Sequence, residues 1–135
     1  MRCLYCHNPD TWEVSKTQPV TVDEVLQEFN KNRSFYSKGG ITVTGGEPSY
    51  QPEFTLELLT IAKESGISIA IETCGIGSRD FYKKCAELGT TFLYDIKCLN
   101  SIRHKELTGV DNTHILSNLQ YLMGNGADII LRLPL

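Results

Sequence analysis

Two cysteines close to the N-terminus have a spacing that suits metal binding or thiol chemistry. Cys3 and Cys6 lie three residues apart in "RCLYCHNPDTW", and His7 follows Cys6 directly. Such a pair could form half of a zinc site or act as a redox dithiol. A four-ligand zinc site needs two more ligands, and the sequence contains neither a second C-x-x-C pair nor a spaced histidine pair. From these residues alone, the role of the pair stays open.

Four short apolar segments further along the chain each end in polar or charged residues. The endings are "TGGEP", "ETCG", "DIKC" and "RLPL". In parallel α/β folds the carboxyl ends of the strands gather at one rim, where the chemistry collects. We therefore predict a single mouth lined by the side chains of Glu47, Glu72, Asp95 and Lys97.

Some of these motifs also have a plainer explanation when they are taken alone. Gly45 and Gly46 suit a tight turn. Asp95 and Lys97 could form a surface ion pair that adds little to stability. Only their common position at the predicted strand ends favours a site.

The remaining cysteines and two of the histidines are predicted to have no chemical role. Free cysteine is commonly buried, so we predict packing roles for Cys74, Cys85 and Cys98. His104 and His114 lie in polar stretches, and we predict that both are solvated.

The order of secondary-structure elements supports a shared rim. Thr21 and Glu24 predict a capping box, Pro52 suits a first helical position, and Ser78 and Asn112 each precede a helical apolar pattern. The runs "GGITVTGG", "ISIAIETCG", "TTFLYDIK" and "ADIILRLPL" predict strands. Because strand and helix alternate four times, with connections too long for hairpins, we predict an α/β fold with a parallel sheet.

Length, charge and cysteine count narrow the class of protein. The chain has 135 residues, a net charge of −3 and five cysteines, of which only one pair is closely spaced. It has no apolar run of the roughly 18 residues that span a bilayer and no secretory signal pattern. We predict a cytoplasmic protein without nucleic-acid or membrane partners, because the charge gives no reason for either and the cysteines do not form a disulfide framework.

In this order and spacing, "RCLYCHNPDTW", "TGGEP", "ETCG" and "DIK" resemble the radical S-adenosylmethionine (SAM) enzymes. The resemblance covers nearly the whole chain. Within that family, "CHNPDTW" is similar to the activases of glycyl radical enzymes, of the pyruvate formate-lyase type. Each motif is weak alone, but four in register on successive strand ends are specific.

The resemblance implies a four-iron, four-sulfur (4Fe-4S) cluster held by three cysteines in a C-x-x-x-C-x-φ-C motif. Cys3 and Cys6 match the second and third cysteines, and Tyr5 matches the aromatic position. The first would lie two residues upstream of Met1. We therefore expect residues 1–135 to form a fragment of the family's partial (βα)6 barrel, without its first and last strands, and to be inactive as it stands.

The resemblance also implies which residues bind SAM. The cofactor ammonium would be received at the edge formed by Gly45, Gly46 and Glu47. Its carboxylate and ribose would face Ile96, Lys97 and Cys98. Its adenine would contact Tyr5, Cys6 and His7. The sulfonium would lie near Glu72 and Asp95, where the resemblance also allows a monovalent cation.

The implied activity is radical chemistry on a protein substrate. In the family, one electron cleaves SAM and releases a 5′-deoxyadenosyl radical, which removes a hydrogen atom from a glycine of the partner. The implied partners are a glycyl radical enzyme, such as pyruvate formate-lyase, and a flavodoxin or ferredoxin-like electron donor.

Two alternatives stay open. Another small radical SAM activity, such as activation of anaerobic ribonucleotide reductase or deazaguanine synthesis, shares the cysteine motif and the Gly-Gly-Glu-Pro turn. A non-catalytic zinc or dithiol module is the alternative from a different class.

Overall fold

Four parallel strands form the centre of the molecule. The structure is a computed structural model that describes residues 1–6, 8–13, 18–35 and 39–133. The strands are β1 (Gly40–Val43), β2 (Ser68–Thr73), β3 (Thr91–Asp95) and β4 (Ile129–Arg132). They are hydrogen-bonded side by side in chain order, and all three pairs are parallel. The predicted α/β fold with a parallel sheet is confirmed.

Five α-helices connect or flank these strands in the described part of the chain. They are α1 (Val22–Lys31), α2 (Pro52–Glu64), α3 (Arg79–Glu87), α4 (Ser101–Thr108) and α5 (Thr113–Gly124). Short 3₁₀ turns cover Pro9–Trp12, Arg33–Phe35 and Pro48–Tyr50. None of the helices in the described residues has the length and apolarity needed to cross a bilayer.

Three predicted helix starts are confirmed, two of them by their capping hydrogen bonds. The Glu24 amide donates to Thr21 Oγ1 at 3.2 Å, and the Thr21 amide donates to the Glu24 carboxylate at 2.7 Å, which completes the capping box. Pro52 is the first residue of α2, where its missing N–H costs no hydrogen bond. Ser78 caps α3 by accepting from the Phe81 amide.

Helix α4 was not predicted, and the predicted cap of α5 is only partly correct. Asn100 caps α4 by accepting from the Arg103 amide, and Gly109 ends the helix in the left-handed conformation. Asn112 does precede α5, but its side chain makes no cap bond. It donates instead to the carbonyls of Cys98 and Leu99, and so ties the loop after β3 to the start of α5.

The core lies on one face of the sheet, because the side chains of each strand alternate between the two faces. Ile69, Ile71, Phe92 and Tyr94 are almost fully buried and pack in one cluster with residues of α2, α3 and α5. The opposite face remains open to solvent, and Ile130 on that face is 52% exposed. The helices therefore cover one side of the sheet only.

Two of the three predicted packing cysteines lie in this interior. Cys74 and Cys85 are buried, whereas Cys98 is half-buried.

His104 is only 1% exposed, so the prediction that it is solvated is wrong. Its Nδ1 lies 2.7 Å from the carbonyl oxygen of Val110, and this hydrogen bond compensates for burial of the ring.

Candidate functional site

The polar strand endings meet at one rim, as predicted. Val43 pairs with Ile71, Thr73 with Tyr94, and Asp95 with Arg132. The residues that follow β1, β2 and β3 therefore leave the sheet at the same edge. This register places the Gly45–Gly46 turn, the loop after Thr73 and the segment after Asp95 around one mouth.

A network of ion pairs joins three of the strand ends across the open face of the sheet. Arg132 donates from Nε to Asp95 at 2.7 Å and from Nη2 to Glu72 at 2.5 Å. Lys97 Nζ lies 2.6 Å from the other oxygen of Asp95. Two cations thus face two carboxylates, and the formal charges of the network cancel.

The pKa values of the two carboxyls reflect these contacts. Burial alone would raise the pKa of Asp95, whose side chain is 14% exposed, but hydrogen bonds from Arg132 and Lys97 outweigh burial and lower it. The hydrogen bond from Arg132 lowers the pKa of Glu72, and a hydrogen bond from Thr44 lowers it further. Partial burial of Glu72 opposes this shift. Both carboxylates are therefore held in the charged form.

The N-terminal segment lies beside this rim and is fastened at two places. The amides of Arg2 and Leu4 donate to the carbonyls of Thr108 and Leu107 at the end of α4, at 3.0 and 2.9 Å. Further along, the side-chain amide of Asn8 lies 3.5 Å from the carbonyl oxygen of Gly45. The segment that carries the two cysteines therefore extends from α4 to the turn after β1.

Cys3 and Cys6 are half-buried in that segment, and the amide of Cys6 donates to the carbonyl of Cys3. Burial raises the pKa of the Cys3 thiol, while the charges of Lys97 and the N-terminal amine oppose the shift. Burial and the neighbouring Cys3 raise the pKa of Tyr5, while the charge of Lys97 opposes this shift. Lys97 therefore lies within electrostatic reach of both the cysteine segment and Asp95.

The turn after β1 brings Glu47 toward the interior. Gly45 has a φ of +113°, which only glycine adopts readily, and both glycines of the turn are exposed. Glu47 is half-buried, and its carboxylate accepts hydrogen bonds from the hydroxyl of Thr73 and the amide of Cys74, at 2.7 and 2.8 Å. It also accepts from the amide and hydroxyl of Ser49.

The other predicted site residues have different degrees of access to the mouth. Tyr5 is 42% exposed, and Cys98 is half-buried. Ile96 is only 5% exposed and belongs to the core cluster, so its side chain faces away from the mouth and only its backbone is available there. His7 lies outside the described residues.

Four residues of the rim were not predicted as site residues. Arg132 was recognised only as part of a polar strand ending, although it links two of the predicted carboxylates. Thr73 and Tyr82 are buried and hydrogen-bonded to each other beneath Glu47. Asn118 donates to the carbonyls of Gly75 and Gly77. For Thr73, Tyr82 and Asn118, the available signal was the presence of polar side chains at otherwise apolar, core-facing positions.

Comparison with protein families gives one match that spans the chain. The model of the radical SAM superfamily matches residues 1–135.

Two curated relatives carry names of activating enzymes. The chain is 45% identical to the choline trimethylamine-lyase activating enzyme of Oleidesulfovibrio alaskensis over 117 residues, which are 85% of this chain and 38% of that protein. It is 40% identical to the pyruvate formate-lyase-activating enzyme of Staphylococcus aureus over 126 residues, 87% of this chain and 50% of that protein. The chain thus spans half or less of the length of these relatives.

Two solved structures are similar to the model. A domain of the pyruvate formate-lyase-activating enzyme from Bacteroides vulgatus matches with a TM-score of 0.66 and 29% identity, over 72% of this chain and 60% of that one. Streptococcus suis SuiB bound to S-adenosylmethionine matches with a TM-score of 0.72 and 18% identity, over 96% of this chain and 28% of that one. The second likeness shows the fold alone, and it agrees with the predicted partial barrel.

Proposed function

The chain belongs to the radical SAM superfamily, and from this premise we propose that it is the SAM-binding part of an activating enzyme for a glycyl radical enzyme. One observation supports this proposal above the others. The segment with Cys3 and Cys6 lies next to the rim where Lys97, Asp95 and the Gly45–Gly46 turn meet. A cofactor that binds both a thiolate-held cluster and polar groups at strand ends would need this juxtaposition.

SAM and a 4Fe-4S cluster are the cofactors that the family implies. Cys3 and Cys6 fit as two of the cluster's thiolate ligands, because they share one half-buried turn beside a lysine. No group of three or more metal-ligating side chains comes together within the described residues. A cluster at this turn therefore needs a third thiolate from outside them. When bound, the cluster and SAM supply the radical that removes hydrogen from a glycine.

The protein's own groups would orient SAM. The carbonyls of the exposed Gly45–Gly46 turn are suited to accept from the cofactor ammonium, since the absence of side chains permits close approach. Lys97 is a cation at the rim that could face the cofactor carboxylate. Tyr5 offers an exposed ring for the adenine.

Glu72 and Asp95 would lie close to the sulfonium, as members of a network in which Arg132 and Lys97 balance their charges. Arg132 already bridges these two carboxylates. A monovalent cation, which the resemblance also implies, would therefore compete with a guanidinium for the same oxygens.

The proposed partner is a glycyl radical enzyme, because the two relatives described above are named for activating choline trimethylamine-lyase and pyruvate formate-lyase. The chain extended to place a cysteine four residues before Cys3, reconstituted and incubated anaerobically with a candidate lyase, SAM and dithionite as the electron source, should give the electron paramagnetic resonance doublet of a glycyl radical. If SAM is cleaved but the candidate lyase shows no such signal, that lyase is excluded as the partner.

The cluster assignment has a direct test. We would compare the 135-residue chain extended by a segment that places cysteine four residues before Cys3 with the same extension carrying serine there. After anaerobic reconstitution and desalting, the cysteine form should hold about four irons per chain and, with dithionite as the electron source, convert SAM to 5′-deoxyadenosine. The serine form and the unextended chain should lose their iron. Equal iron in all three forms would contradict the assignment of Cys3 and Cys6.

A further inference from the structure

The carboxylate of Glu47 is already engaged by four contacts with protein donors. Its Oε1 accepts from Thr73 Oγ1 at 2.7 Å, from Ser49 Oγ at 2.8 Å and from the Ser49 amide at 3.2 Å, and its Oε2 accepts from the Cys74 amide at 2.8 Å. An ionised carboxylate offers about four lone-pair sites. Three of these contacts fall on Oε1, so a ligand ammonium could reach the carboxylate only at the remaining lone-pair site of Oε2 or by displacing a donor.

Each hydrogen bond beneath Glu47 can be assigned a donor and an acceptor. Thr73 has one hydroxyl proton, and it is donated to Glu47 because a carboxylate only accepts. In the 2.8 Å contact between Thr73 and Tyr82, Tyr82 must therefore be the donor. The Tyr82 oxygen in turn accepts from the amide of Gly77. Thr73 is 2% exposed and Tyr82 is fully buried, so water cannot replace either partner easily.

This relay ends in the loop after β2, which runs over residues 74–78. Its amides at Cys74, Gly75 and Gly77 donate to the side chains of Glu47, Thr73 and Tyr82, respectively. Three loop amides are thus held by the relay, and the loop's position depends on these three side chains.

The far side of the same loop is anchored on α5. Asn118 Nδ2 donates to the carbonyls of Gly75 and Gly77, each at 2.9 Å. Gly75 has a φ of +79°, and an added Cβ would lie 1.8 Å from the hydroxyl of Tyr94. The loop is therefore a fixed support, and Glu47 connects the turn after β1 to it.

We propose that Glu47 is a positioning residue: its carboxylate fastens the Gly45–Gly46 turn to the 74–78 loop through Thr73 and Tyr82, and leaves the backbone of the turn to bind the ligand. The ligand part of this inference rests on the proposed SAM-binding function. Thr73 and Tyr82, which lie on the helix-covered side of the sheet, then control ligand affinity without contacting the ligand.

The first experiment measures amide hydrogen exchange in the chain without ligand. Thr73→Val removes the hydroxyl bound to Glu47, so exchange at the Cys74 amide, which donates to Glu47 and not to the Thr73 hydroxyl, should become about tenfold faster. Thr73→Ser keeps the hydroxyl and should restore slow exchange. Thr60→Val is the matched control, because it removes a threonine hydroxyl bond to the Leu56 carbonyl within α2. Unchanged exchange at Cys74 in Thr73→Val would overturn the relay.

The second experiment measures SAM affinity by anaerobic calorimetry on the same variants, made in the cysteine-extended chain described above and reconstituted with iron and sulfide. Thr73→Val and Tyr82→Phe should each weaken binding, by about tenfold for Thr73→Val, and Thr73→Ser and Thr60→Val should bind like the wild type. Thr73→Val should add little in a Glu47→Gln background, since both changes break one connection. If Glu47→Gln weakens binding while Thr73→Val and Tyr82→Phe do not, Glu47 contacts the ligand directly and the proposal fails.

The two experiments separate the two levels of inference. If the reconstituted, cysteine-extended chain without further substitutions does not bind SAM, the proposed function is contradicted, while hydrogen exchange at Cys74 still decides whether Glu47 is held by the relay.

Discussion

Replacing Arg132 with methionine would test whether the ion network fixes the rim. Methionine keeps an unbranched apolar stem but removes the guanidinium, so Glu72 and Asp95 lose the cation between them. Asp95 keeps Lys97 as a partner. The variant therefore isolates the contribution of one guanidinium to two carboxylates.

The size of the effect follows from the exposure of each pair. A hydrogen bond between charged groups contributes about 1.5–3 kcal/mol. Because Arg132 is 38% exposed, we take the lower end for its bond to Asp95. In the ion pair between Glu72 and Arg132, the two side chains are exposed to a similar degree, and this pair adds roughly 0.5–1 kcal/mol. The variant should lose roughly 2 kcal/mol of unfolding free energy at neutral pH.

The pH dependence of this loss has a definite sign. The folded-state pKa values of Glu72 and Asp95 are lowered, so their stabilising contribution is present above the unfolded values and is lost as pH falls through the lower folded values. The difference between wild type and variant should therefore be full at neutral pH and shrink from about pH 5 toward about pH 3.

Urea unfolding followed by circular dichroism at several pH values would measure this difference. Arg103→Met is the matched control, because Arg103 makes one exposed ion pair with Glu106 and should cost no more than about 0.5 kcal/mol. A loss for Arg132→Met that is independent of pH, or no larger than that of the control, would refute the reasoning.

Two further predictions concern the loop after β2 and the thiols. Gly75→Ala should lower the unfolding free energy by about 2–4 kcal/mol in a urea titration, because it combines a positive φ with a clash against Tyr94. Gly124→Ala, which meets nothing within 4 Å, should be neutral or slightly stabilising, and an equal loss in both would contradict this account. Ellman's reagent should react quickly with three of the five cysteines and with the other two only after unfolding, since burial raises the pKa of Cys85 to about 12 and also raises that of Cys74. Five fast thiols in the native protein would show that the core is not closed.

The strands and their shared rim could be predicted because their signals are local. Runs of β-branched residues bounded by glycine mark the strands, and the right-handed connection rule makes consecutive strands neighbours. Once the strands are parallel, Glu72 and Asp95 must leave the sheet at one edge.

Helix α4 could not be predicted from apolar periodicity, because it buries polar residues. Its interior side chains are His104 and Thr108, which hydrogen-bond the carbonyl of Val110 and each other, while Ile102 is 75% exposed. The usable signals were its caps, Asn100 and Gly109.

Arg132 and Thr73 could not be assigned from the sequence for a related reason. The role of Arg132 depends on the register that pairs it with Asp95, which is set by packing of whole strands. The role of Thr73 depends on its contact with Glu47, 26 positions earlier in the chain. Spacing along the sequence does not report such contacts.

The end of β2 shows how one strand can support the rim from both faces of the sheet. Successive side chains of a strand point to opposite faces, so Glu72 reaches the ion network on the open face while Thr73, 2% exposed, reaches Glu47 on the helix-covered face. A slip of one residue in the register of β2 would exchange these two side chains. It would bury a carboxylate against the core and remove the hydroxyl from Glu47. The mouth of the candidate site and the hydrophobic core therefore specify the same register, and a sequence change that disturbs one should disturb the other.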